Sequence, residues 1–149
     1  SFVSGIGERL APVPALPPAW LVLANPGRPL ATAAVFAARS GPFSAPRRWA
    51  DPIADAASLA ARLAMGGNDL EPAARRLVPE IGAVLAALSG TAGCLLARMS
   101  GSGATCFGLY AQRAMAEAAV ATIRARQRHW WLCAAPMRTG GQEETPGPA

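Results

Sequence analysis

Met99-Ser100-Gly101-Ser102-Gly103-Ala104 is the stretch of this chain whose residue types and spacing suit a chemical task. Two glycines separated by a serine let consecutive backbone N–H groups converge into an anion-binding nest, and the two hydroxyls add donors. Phosphate recognition asks for that close backbone approach with no Cβ in the way. The loop lacks the Gly-Lys-Ser/Thr ending of a Walker loop, and the third glycine of a dinucleotide fingerprint would fall at Cys106. A plain glycine-rich hairpin accounts for the same residues.

Other chemistry-bearing side chains have simpler readings. Asp69 and Glu71 offer carboxylates, but in the first turn of a helix such residues cap. His129, the single histidine, follows a run of arginines at a helix end and reads as solvated surface. Cys94, Cys106 and Cys133 are widely spaced and each sits in an apolar run, as small buried hydrophobes do. One histidine and three dispersed cysteines cannot assemble a tetrahedral zinc site, and a Ser-His-Asp set is equally remote. No metal ligands are expected in this chain. Phe36, following Thr32 in a short helix, reads as core.

These residues need elements to hold them. Trp20–Ala24 is a short apolar run closed by Asn25-Pro26-Gly27, which predicts a buried strand. Thr32–Ala38 predicts a short helix, and Gly41–Trp49 an irregular loop. Asp51-Pro52 reads as a cap with proline at the first helical position, starting a helix that runs to about Met65. A second helix is expected from Asn68 or Asp69 to Leu88, with Leu70, Ala74, Leu77, Val78, Ile81, Leu85 and Leu88 on one face. Cys94–Met99 and Thr105–Tyr110 read as strands flanking the glycine loop. Arg113–Arg126 is a helix with Met115, Ala119, Thr122 and Ile123 along one side, and Trp130–Ala134 a final strand. That order predicts an α+β fold, a split βαβ arrangement of the ferredoxin-like type, its antiparallel sheet covered by helices on one face. The polar residues 139–149 read as a disordered tail.

Composition sets the outer limits. The 149 residues are 52% hydrophobic and 15% charged, which excludes disorder for the bulk of the chain. The charged share is below the usual quarter, so an apolar face turned toward another domain or a partner is expected. All 14 basic residues are arginine, giving a net charge of +5. They are scattered, as an arginine-rich codon bias would leave them, and no nucleic-acid partner is expected. No uncharged stretch is long and unbroken enough to suggest a membrane span, and a reducing cytoplasm suits the cysteines. The absence of lysine has a firm consequence: this chain supplies no lysine ammonium to any reaction.

Four stretches taken in order carry a resemblance. They are Gly5-Ile6-Gly7-Glu8-Arg9-Leu10, then Asn25-Pro26-Gly27 with Thr32 and Phe36 behind it, then Asn68-Asp69-Leu70-Glu71, then Arg98-Met99-Ser100-Gly101-Ser102-Gly103-Ala104-Thr105-Cys106-Phe107. From Gly5 to Pro136 they resemble the C-terminal half of the 4-diphosphocytidyl-2-C-methyl-D-erythritol kinase family of the GHMP kinase superfamily. The resemblance implies a cytoplasmic ATP- and Mg²⁺-dependent enzyme of non-mevalonate isoprenoid biosynthesis, phosphorylating the 2-hydroxyl of its cytidyl diphosphate substrate. It implies that Phe36 stacks on the cytosine, with Thr32 on the same substrate-facing helix start. Ser100, Gly101, Ser102, Gly103 and Ala104 match the phosphate-facing loop, and Asn68–Glu71 a signature assigned to helix capping and packing. It further implies three parts: residues 1–18 as a strand and connector of an N-terminal kinase domain, 19–138 as the C-terminal domain, and the tail. In this family the catalytic Lys and Asp and the ATP loop lie in the N-terminal half. No catalytic residue is therefore expected here, and the chain alone should be inactive. A stand-alone nucleotide- or anion-binding module of the same fold, or another GHMP small-molecule kinase, are the alternatives.

Overall fold

A computed structural model describes residues 2–4, 9–11, 17–43 and 53–137. The expected tail, most of the Ala11–Pro18 connector, the Gly5–Glu8 turn and the Asp51-Pro52 cap lie outside the described residues. β1 (Phe2–Ser4) and β2 (Arg9–Ala11) pair antiparallel as a two-stranded ribbon. The remaining elements run β3 (Trp20–Asn25), α1 (Thr32–Ala38), α2 (Ala56–Ala64), α3 (Glu71–Leu77), α4 (Glu80–Ser89), β4 (Leu96–Met99), β5 (Cys106–Tyr110), α5 (Arg113–Arg126) and β6 (Trp131–Pro136).

The four later strands form one antiparallel sheet in the order β4-β5-β3-β6. Each strand lies beside one that is not its immediate successor, except at the β4–β5 hairpin that carries the glycine loop. This is the expected α+β split βαβ sheet. Strand alternation decides its two faces. Val22 and Ala24 of β3 and Cys106 and Tyr110 of β5 enter the main core with Val35, Ala73, Ile81, Val84, Leu88, Ala116 and Ile123. Four helices thus contribute to that core. Leu109 points the other way and packs with Ala19, Ile53, Ala56, Leu59 and Ala60. Helix α2 therefore lies on the opposite face, where one-sided coverage was expected.

Local chemistry moves several boundaries. Helix α2 starts at Ala56, not after Asp51, because the Asp55 carboxylate accepts the Ser58 N–H at 2.8 Å and Ile53 stays outside the helix, buried in the second cluster. The single helix expected from Asn68 to Leu88 is two. Pro79 has no N–H to continue the ladder and disfavours helical backbone at Val78, which sits at φ −132° and ψ 87°. The break rotates the apolar stripe, so Leu77 is exposed and Leu85 half-buried. On α5 the buried line is Ala116, Ala119, Val120 and Ile123, while Met115 and Thr122 face solvent. Strand β4 begins at Leu96, two residues later than expected. Cys106 is buried as expected, but Cys94 and Cys133 are only half-buried.

Candidate functional site

The β4–β5 hairpin carries the glycine loop across the sheet end where β3 gives way to α1. Two backbone bonds shape it: Ser100 N–H donates to Thr105 O at 2.8 Å and Gly103 N–H to Ser100 O at 3.1 Å. The N–H groups of Gly101 and Ser102 have no acceptor among the described residues. Both glycines have left-handed backbone, at φ +55° for Gly101 and +88° for Gly103. Their surroundings differ. A Cβ on Gly101 would meet nothing within 4 Å, whereas one on Gly103 would meet Met99 Sδ at 2.9 Å and Leu30 Cδ2 at 3.2 Å. Gly103 is thus closely covered by side-chain ends that would have to give way, and Gly101 leaves the backbone open to approach.

Three side chains tie the loop to its neighbours. Asn68 Nδ2 donates to Met99 O at 2.9 Å and to Gly101 O at 2.7 Å, while its Oδ1 accepts Leu70 N–H at 3.0 Å. Asn25 Nδ2 donates to Thr105 Oγ1 at 3.0 Å, and its Oδ1 accepts Gly27 N–H at 2.8 Å. The Thr32 and Ser102 hydroxyls share a hydrogen bond of 3.0 Å. The last of these joins the start of α1 to the loop, and Phe36 lies one helical turn beyond Thr32, half-buried. Thr32 and the loop are therefore in direct contact, and Phe36 follows on the same short helix.

Sequence reasoning gave Asn68 a capping and packing role. Its stapling of the loop was missed because both carbonyls are more than 30 residues away. The one available signal was an amide side chain, with donors and an acceptor, at a position where capping needs the acceptor alone. Arg98 supports the same corner. Its Nη2 donates to Gly66 O at 3.1 Å, and burial lowers its pKa while the Glu71 charge opposes that shift. Glu71 also pairs with Arg75 at 3.4 Å. Cys106, directly below the loop, is pushed up to about 12 by burial and then by the charge of Glu71. It is a neutral core thiol and not a nucleophile at ordinary pH. His129 is exposed, as expected.

Among the described residues no three His, Cys, Asp or Glu side chains gather where they could hold a metal ion. No helix is long and apolar enough to cross a membrane. The arrangement can cradle an anion on open backbone beside a hydroxyl pair, next to a short helix bearing an aromatic ring.

Comparison with known proteins agrees with this geometry. The family model for the C-terminal part of the GHMP kinases matches residues 50–129. The chain is 56% identical over 133 residues to the 4-diphosphocytidyl-2-C-methyl-D-erythritol kinase of Paramagnetospirillum magneticum, covering 89% of this chain and 47% of that protein. It is 52% identical over 137 residues to the kinase of the same name from Parvibaculum lavamentivorans, with 86% and 45% covered. The crystal structure of a 4-(cytidine 5'-diphospho)-2C-methyl-D-erythritol kinase superposes with a TM-score of 0.63 at 32% identity, over 93% of this chain and 48% of that one. The chain spans about half the length of the curated relatives it matches. With the family pattern lying over helices α2 to α5 and the β4–β5 hairpin with its glycine loop, this chain belongs to the GHMP kinases, whose C-terminal part it matches.

Proposed function

We propose that this chain is the substrate-side half of a kinase that phosphorylates the 2-hydroxyl of 4-diphosphocytidyl-2-C-methyl-D-erythritol, in the cytoplasm, in non-mevalonate isoprenoid biosynthesis. The observation that carries the reading is the Thr32–Ser102 hydrogen bond of 3.0 Å. It makes one wall of the helix expected to face the substrate base and the loop expected to face the phosphates. Phe36 then stacks on the cytosine, and Thr32 holds the start of its helix. Ser100, Gly101, Ser102, Gly103 and Ala104 line the phosphate side, where the N–H groups of Gly101 and Ser102, without an acceptor among the described residues, meet oxygen anions. The names of the relatives favour this substrate over other GHMP kinase substrates.

ATP, bound with Mg²⁺ mainly by an N-terminal kinase domain, supplies the transferred phosphoryl group. This chain binds and orients the acceptor, and phosphoryl transfer depends on such positioning together with charge stabilisation. Without a lysine, and with the ATP loop and the catalytic Lys and Asp expected in an N-terminal half, the chain by itself should not turn over substrate. The test joins this chain behind the first half of the Paramagnetospirillum magneticum kinase and assays it with ATP and the cytidyl substrate. The fusion should be active and the chain alone should match a heat-killed control. Phe36→Ala in the fusion should raise KM for the cytidyl substrate and leave KM for ATP unchanged. An inactive but folded fusion, or an unchanged cytidyl KM, would refute the assignment.

A further inference from the structure

Phe36 does not stand alone at the end of α1. Arg39 lies one turn on, and its N–H closes the helix on Val35 O at 3.1 Å. Arg76 of α3 donates from Nη2 to Ala38 O at 2.6 Å and anchors the same helix end. Gly41, at φ +81°, then turns the chain so that Phe43 comes back to the helix. The Arg39 guanidinium sits 3.6 Å over the Phe43 ring centroid, and its Nη2 donates to Gly41 O. Its Nε has no hydrogen-bond partner among the described residues, so the ring's negative face and the Gly41 carbonyl are the groups that offset this cation's desolvation. Phe43 in turn tilts against Phe36, with centroids 6.0 Å apart and planes at 55°, an ordinary attractive aromatic pair. Phe43 remains 48% exposed, so its ring is held at the surface beside Phe36 and not inside the core.

We propose that Arg39 and Phe43 are positioning residues for base recognition, a guanidinium–aromatic clasp that backs Phe36 and presents its ring as a fixed surface for a planar heterocycle. This rests on the reading of Phe36 as the stacking residue. A ring held by two neighbours has less rotamer freedom to lose when a base stacks on it, so the clasp raises affinity for the base and not for the phosphates. The arrangement is local, built by residues 36 to 43 and the Arg76 tether.

The test uses the full chain with ¹³C-labelled phenylalanine, titrated with cytidine 5'-diphosphate and, in parallel, with inorganic diphosphate. Phe36→Leu should abolish cytidine diphosphate binding. Arg39→Gln should weaken it about two- to fivefold, the range of an exposed cation–π contact. Phe43→Leu should weaken it about two- to tenfold, and Arg39→Lys, which keeps the cation, should restore most of the loss. Inorganic diphosphate affinity should stay unchanged in all four variants, which a general loosening of the fold would not allow. Undiminished cytidine diphosphate binding in Arg39→Gln and Phe43→Leu, with loss only in Phe36→Leu, overturns the clasp and leaves Phe36 as the stacking residue. Undiminished binding in Phe36→Leu as well, or no change at Phe36 in the unaltered chain, overturns both.

Discussion

Replacing Asn68 tests how the glycine loop is held. Its side chain makes three hydrogen bonds: to the carbonyls of Met99 and Gly101 and from the N–H of Leu70. Each such bond is worth about 0.5–1.5 kcal/mol net. The Gly101 carbonyl is exposed and rehydrates when freed, so its bond belongs at the low end. The Met99 bond is partly buried, in a residue only 1% exposed, and belongs nearer the top. Asn68→Ala should therefore loosen the loop by about 2–3 kcal/mol, which at 1.4 kcal/mol per decade is about 30- to 150-fold in opening. Amide hydrogen exchange reads this directly at Ser100 and Gly103, whose N–H groups close the loop on Thr105 and Ser100. Asn68→Asp keeps the oxygen that caps Leu70 but turns a charged oxygen toward two carbonyls. It should loosen the loop more than Asn68→Ala at pH 7, and recover below about pH 4, where protonation returns one donor. Unchanged exchange at Ser100 and Gly103 in folded Asn68→Ala would refute the staple.

The two loop glycines should respond differently to a methyl group. Gly101→Ala, in open space at φ +55°, should cost about 1–2 kcal/mol, the left-handed penalty alone. Gly103→Ala adds close contacts with the side-chain ends of Met99 and Leu30 and should cost about 2–4 kcal/mol, compared by denaturant unfolding. The Cys106 thiol, held up to about 12 against an ordinary value of 9.0, keeps its proton in the folded state while unfolded thiols ionise. A raised folded value gives stability that is complete below pH 9 and is lost as pH rises toward 12, so unfolding free energy should fall across that window, less steeply in Cys106→Ala. At pH 8 a thiol reagent should leave Cys106 unmodified in the native chain.

Much of this protein is legible in its residues. Apolar runs bounded by Asn-Pro-Gly and by Gly-Ser clusters mark β3 and the β4–β5 hairpin, because buried strands and tight turns each demand particular side chains. The Ser-Gly-Ser-Gly loop announces itself through backbone freedom that other residues lack. Missing lysine removes a lysine ammonium from whatever this chain itself contributes, without reference to structure. These are local properties, set by chemistry within a few residues.

Tertiary structure decided what distance along the chain conceals. The stripe from Leu70 to Leu88 suggests one helix, and only the Pro79 break, with two helices packed separately, shows which leucines enter the core. Helix α2 has an apolar side that fits either face of the sheet, and Leu109 opposite Ile53 and Leu59 settles it. Asn68 reads as a cap until the fold brings two carbonyls of the loop to its amide. The hydroxyls of Thr32 and Ser102 are 70 residues apart in sequence and 3.0 Å apart in space. Hydrogen bonds of that reach depend on strand order and crossover, and the residues making them carry no local mark of their partners.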